Sequence, residues 1–166
     1  MTKTLLLVED SPTDEKLTLR AFKKCGITSE IDVVRDGAEA LDYLFAEGKY
    51  ADRDVDALPA VILLDLNLPR IDGLEVLRRL RADERTRVLP VVILTASKEE
   101  EDVIRGYRLG ANAYVRKPVD FAEFIEAART LGVFWLRMNE PFPIHHGAHG
   151  PSSLTPRHDL NPKDNA

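Results

Sequence analysis

The chain has 166 residues, 44% apolar and 31% charged, which suits one soluble globular domain and is too short for two ordinary ones. A formal net charge of -5 offers no overall attraction to nucleic acid or an anionic membrane surface, and no apolar run approaches the roughly 18 residues that a membrane span needs. The lone Cys25 cannot form an internal disulfide, and no apolar signal segment follows MTKT, so the expected location is cytoplasmic.

The run LLLV (5–8) predicts a first strand. Ser11 and Pro12 then supply an N-cap and a first-turn proline for a helix that runs to about Cys25 and stops at Gly26. IDVV (31–34) predicts a second strand, and Ala38 to Glu47 has helical spacing through Ala40, Leu41, Leu44 and Phe45, ending at Gly48. The polar connection KYADRDVDALP is long for this kind of unit. AVILL (60–64) and VVIL (91–94) are continuous apolar runs, the mark of strands covered on both faces. Between them Leu74, Leu77 and Leu80 make a helical stripe from about Asp72 to Asp83. Residues 98–108 read as a charged helix and AYV (113–115) as a fifth short strand. Asp120 and Glu123 form an aspartate version of the capping box that opens a last helix. Its apolar positions Phe121, Phe124, Ala128, Leu131, Trp135 and Met138 recur every three or four residues.

Strict alternation of strand and helix implies a parallel sheet with helices on both faces, and the functional groups of such sheets gather at the carboxyl ends of the strands. Glu9 and Asp10 follow the first strand, Asp65 the third, Thr95 and Ala96 the fourth, and Arg116, Lys117 and Pro118 the fifth. Three clustered acids repel one another and resist ionising; a hard divalent cation such as Mg2+ removes the difficulty. A metal beside Asp65 would stabilise charge on a phosphoryl group, Lys117 would offer a compact positive charge, and Thr95 a hydrogen bond. Each residue taken singly also has a plain structural role: Asp65 as a strand cap, Thr95 as a strand-end hydroxyl, Lys117 as a surface amine, Glu9-Asp10 as a turn.

The motifs VEDS (8–11), ILLDLNLPRIDG (62–73), ILTAS (93–97) and AYVRKP (113–118), in this order over about residues 3–130, resemble the receiver domain of two-component response regulators. The resemblance implies a flavodoxin-like doubly wound (βα)5 fold with strand order 2-1-3-4-5. It implies that Asp65 accepts a phosphoryl group from the phosphohistidine of a sensor histidine kinase, in a reaction dependent on Mg2+ or Mn2+. It casts Glu9 and Asp10 as the acidic pair, with Asp10 the more direct metal ligand, and Asn67 as the position whose backbone carbonyl completes the metal site. Thr95 matches the switch hydroxyl, Tyr114 the switch aromatic, Lys117 the lysine before a proline joined by a cis bond, and Gly73 the glycine after the acceptor loop. SPTDEK, the long connection, LDLNLPR and the helix end FWL further resemble single-domain regulators partnered with bacterial phytochromes. On this reading Thr95 is drawn toward the phosphoryl group, and Tyr114 rotates into the space it vacates.

Residues 1–138 are therefore expected to form the receiver domain with an extended last helix, and 139–166 a Pro/Gly/His-rich tail, partly or wholly disordered. The apolar stripe of that helix is longer than one small sheet needs, so a homodimer is expected through the fourth helix, fifth strand and fifth helix, with Phe134, Trp135, Leu136 and Met138 as interface candidates. The HHGAH run lacks cysteine or acidic partners for a zinc site. A DNA-binding domain would need roughly 60 further residues, and only 28 follow Met138. An aspartyl-phosphate hydrolase would place a second acid two residues after the acceptor, where Asn67 stands. A relay intermediate and a phosphorylation-independent interaction module remain as alternatives.

Overall fold

The computed structural model describes residues 2–143; Met1 and residues 144–166, which hold HHGAH and most of the expected tail, lie outside the described residues. In chain order the elements are β1 (Thr4–Val8), α1 (Pro12–Lys24), β2 (Glu30–Val34), α2 (Gly37–Phe45), β3 (Val61–Leu64), α3 (Gly73–Ala82), β4 (Val91–Thr95), α4 (Glu100–Arg108), β5 (Ala113–Arg116) and α5 (Phe121–Val133). All four strand pairings are parallel, in the order β2-β1-β3-β4-β5. This is the expected doubly wound sheet, and the order reverses between β1 and β3, the switch point at whose strand ends such sheets form their ligand crevice.

Alternate residues of each central strand feed opposite cores, as period-two side-chain geometry requires. Leu6, Val8, Ile62, Leu64, Val91 and Ile93 pack with Leu41, Leu44, Leu74, Leu77 and Leu80 of α2 and α3. Leu5, Leu7, Val61, Leu63, Val92 and Leu94 pack with Ala21 and Phe22 of α1 and Phe124 and Ala128 of α5. Each such buried leucine contributes about 1.5–3 kcal/mol of transfer free energy. Four helices begin on a side chain that accepts an otherwise unpaired backbone N–H: Ser11 for α1, Asp36 for α2, Asp72 for α3 and Asp120 for α5. These caps set where each helix leaves the sheet edge.

The long connection after α2 is packed rather than loose. A 3-10 turn (Gly48–Tyr50) opens it. The Arg53 guanidinium then lies 3.6 Å over the Tyr43 ring and donates to the Tyr43 carbonyl. Arg85, beyond α3, donates to the carbonyls of Leu44 at 3.1 Å and Val55 at 3.2 Å. At the far end, α5 passes into a π-helical turn, Phe134–Met138, with Asn139 N donating to the Phe134 carbonyl at 2.7 Å. This wide turn shifts the helical phase, so Leu136 faces the core in place of Trp135, which is half-buried. Gly132 lets α5 approach α1: a Cβ there would stand 2.6 Å from both Phe22 and Ile27. Lys3 Nζ donates to the Asn139 carbonyl at 3.0 Å and ties the start of β1 to the end of the last helix.

Candidate functional site

Glu9, Asp10, Asp65, Thr95 and Lys117 are delivered by the ends of strands. β1 ends at Val8, so the buried Glu9 and the exposed Asp10 emerge over the crevice. β3 ends at Leu64 and presents Asp65, buried at 5% exposure. Thr95, expected just after the fourth strand, is instead the last residue of β4 and fully enclosed. Lys117 follows β5, its backbone N–H held by the Thr95 carbonyl at 2.8 Å.

The Asp65 carboxylate is oriented from both sides. Its Oδ1 accepts from Thr95 Oγ1 at 2.9 Å and from Asn67 N at 3.1 Å, and its Oδ2 accepts from Lys117 Nζ at 2.7 Å. Behind it Gly73 N donates to the Leu66 carbonyl at 2.9 Å, and a Cβ on Gly73 would stand 2.2 Å from the Asp65 carbonyl oxygen. Only glycine fits that approach.

Lys117 also meets Glu9 Oε2 at 2.7 Å and Asp14 Oδ2 at 2.8 Å. Burial works against its charge, but the bonds to Asp14, Asp65 and Glu9 outweigh it and hold the amine above its ordinary range. Burial pushes the Glu9 carboxyl up to about 7, against the pull of Lys117. One oxygen each from Glu9, Asp10 and Asp65 lie within 4.8 Å of one another. This all-oxygen set, open to solvent at Asp10, fits a hard divalent cation that retains waters, and suits a thiolate- or imidazole-seeking metal poorly.

Tyr114 is half-buried on β5, its hydroxyl 3.4 Å from the Ser97 carbonyl, and Ser97 N lies 3.4 Å from Thr95 Oγ1. Its ring passes over Gly106 of α4, where a Cβ would stand 3.4 Å from Tyr114 Cδ2. The Lys117–Pro118 bond is trans; no cis bond occurs among the described residues. The expected cis form is thus absent, in keeping with the trans preference of X-Pro bonds in general. Of the four interface candidates, Met138 and Phe134 are exposed at 70% and 43%, Trp135 is half-buried, and Leu136 is taken into the core. Leu136 is therefore unavailable to a partner.

Asp14 is the site residue that sequence reasoning missed. The Ser11 cap starts α1 directly above β1, so the first turn of that helix sits at the crevice. The cap was legible, but a contact spanning 103 positions was not.

Residues 5–129 match the model of the response regulator receiver domain. Among curated proteins the chain is similar to the "Probable methanogenesis regulatory protein FilR2" of Methanothrix harundinacea, 39% identical over 81% of this chain and 84% of that one. It is also similar to response regulator Rcp1 of Synechocystis sp., 38% identical over 81% of this chain and 89% of that one. Among solved structures, the Mn2+-bound form of Rcp1 superposes with a TM-score of 0.80 at 36% identity, over 85% of this chain and 99% of that one. The bacteriophytochrome response regulator RtBRR gives 0.69 at 52% identity, over 86% of each chain.

Proposed function

Because this chain belongs to the response regulator receiver domain family, we propose that it is a phospho-accepting switch that takes a phosphoryl group from the phosphohistidine of a sensor kinase onto Asp65. An Asp65 carboxylate oxygen attacks phosphorus; the O–P bond of an acyl phosphate forms, the P–N bond to the histidine breaks, and the released imidazole nitrogen takes a proton from solvent. The observation that carries this reading is the convergence of Lys117, Thr95 and Asn67 on one buried carboxylate. A charge-assisted donor and a hydroxyl bonded to that carboxylate suit the stabilisation of transferred oxygens.

Glu9, Asp10, Asp65 and the backbone carbonyl of Asn67 would hold Mg2+ or Mn2+, which supplies charge neutralisation to the transferring phosphoryl oxygens. Asp65 is the nucleophile, Lys117 holds a phosphoryl oxygen and Thr95 donates to another. Tyr114 reads the outcome next to α4 through its position beside Ser97 and Gly106. The α4-β5-α5 surface exposes Ile104, Tyr107, Val119 and Phe121, an apolar face suited to output and to a second copy of the chain. With Phe134 and Met138 exposed beyond it, a homodimer is the expected assembly, in the cytoplasm with the kinase. Likeness to Rcp1 and RtBRR supports a phytochrome-type kinase as donor.

Mixing the protein with an autophosphorylated phytochrome-type kinase and Mg2+ should move label onto the chain, and Asp65→Asn should abolish that transfer. Labelling of Asp65→Asn at the unsubstituted rate would refute the assignment.

A further inference from the structure

The reading of Asp65 as acceptor leaves Asp14 without a part. An ammonium group has three N–H bonds and no more. In this structure two of them donate hydrogen bonds, to Asp14 Oδ2 at 2.8 Å and Asp65 Oδ2 at 2.7 Å, and Glu9 Oε2 stands 2.7 Å from the nitrogen as an ion pair. Lys117 therefore stands among three carboxylates, and its contacts with them must be redistributed when a phosphoryl oxygen arrives on Asp65.

The three carboxylates are not equal. The Glu9 side chain keeps 2% of its surface, so losing the lysine would strand a buried carboxylate, while Asp65 is itself the residue that is loaded and passes its share of the lysine to the phosphoryl oxygen. Asp14 keeps 25%, enough for water to replace the lysine. Its place is also well defined: Ser11 Oγ accepts from its N–H at 3.3 Å and Thr18 Oγ1 donates to its carbonyl at 2.8 Å, fixing it in the first turn of α1.

We propose that Asp14 is a positioning residue that holds the Lys117 ammonium toward α1 in the unloaded pocket and competes with an incoming phosphoryl oxygen for it. It rests on the receiver reading above. The Asp14 carboxylate, by drawing the ammonium toward α1, weakens the loaded state. Neutralising it frees a donor and lowers the negative charge that opposes an anion.

The test is binding of trifluoroberyllate, a phosphoryl mimic, to the full chain at saturating Mg2+, followed by calorimetry. Asp14→Asn and Asp14→Ser should each bind the mimic about three- to tenfold more tightly, as expected for a lost charge-assisted competitor. Asp14→Glu, which restores the carboxylate, should return the affinity toward that of the unsubstituted chain. A purely structural role would not give this order. Unchanged or weaker binding in the folded Asn and Ser variants, or an Asp14→Glu variant indistinguishable from Asn, overturns the proposal. If the unsubstituted chain binds no better than Asp65→Asn, the receiver reading itself fails, whatever Asp14 does.

Discussion

Thr95 Oγ1 and Asp65 Oδ1 meet across 2.9 Å, with both side chains buried at adjacent strand ends. A hydroxyl bonded to an enclosed carboxylate both steadies the fold and orients that carboxylate. Thr95→Val keeps the shape and deletes the donor, so unfolding free energy should fall by about 1–2 kcal/mol in urea titrations. Label transfer should slow as well if, as proposed, the same hydroxyl donates to the phosphoryl group. An unaltered transfer rate would confine Thr95 to a packing role.

Asp10 is the solvent-facing member of the acidic trio. Asp10→Asn removes one of three mutually repelling charges, so the metal-free protein should melt at a higher temperature. Adding Mg2+ at about ten times its Kd should stabilise the unsubstituted chain by roughly 1.4 kcal/mol, and the variant hardly at all. Thermal melts with and without Mg2+ check both halves.

At Gly73, a methyl group would collide with the Asp65 carbonyl oxygen at 2.2 Å. Since the obstacle is backbone, the acceptor loop has to shift. Gly73→Ala should cost about 2–3 kcal/mol and depress labelling even where the variant remains folded. Wild-type labelling in that variant would show that the loop tolerates the shift.

Glu39 links the acid response to the long connection after α2. Burial opposes its charge, but bonds from Lys49, Tyr50 and the Arg35 backbone hold its carboxyl down at about 2, below the ordinary 4.5. A carboxyl depressed in the folded state adds stability that is fully present above about 4.5 and is lost as pH falls toward 2. Partial exposure discounts the contribution to about 1 kcal/mol. The stability gap between the unsubstituted chain and Glu39→Gln should therefore be constant above about pH 5 and close by about pH 2. A gap that widens on acidification would contradict this.

Leu136 and Met138 separate folding from association. Leu136→Ala should lose about 2–4 kcal/mol of stability, since its side chain lies in the α1/α5 core. Met138→Glu should leave stability within about 0.5 kcal/mol, because that side chain is exposed. It should nevertheless shift light scattering from dimer to monomer. A concentration-independent monomer in the unsubstituted chain would end the dimer proposal.

The strands were legible because β1, β3 and β4 are buried on both faces and read as unbroken apolar runs. The helix starts were legible because capping is local chemistry, and Asp72 and Asp120 each sit three residues before the N–H they accept. Asp65, Lys117, Glu9 and Thr95 could be placed together because parallel topology sends every strand end to one edge. Other features depended on distances no local pattern carries. The Asp14–Lys117 bond needed the packed position of α1, and the inward turn of Leu136 needed a π-helical step that six evenly spaced apolar residues conceal. The packing of Arg53 and Arg85 on the connection after α2 was hidden for the same reason: a polar run says nothing about which carbonyls it will meet.

The clasp between Lys3 and Asn139 sits beneath the sheet, at the amino ends of strands whose opposite tips carry Asp65 and Thr95. A five-residue strand such as β1 spans about 16 Å, so cargo tethered near either residue hangs below the floor, away from the chemistry. A fluorophore or fused module placed there would leave kinase access unobstructed, and news of phosphorylation would have to travel to it along the flanks of the domain.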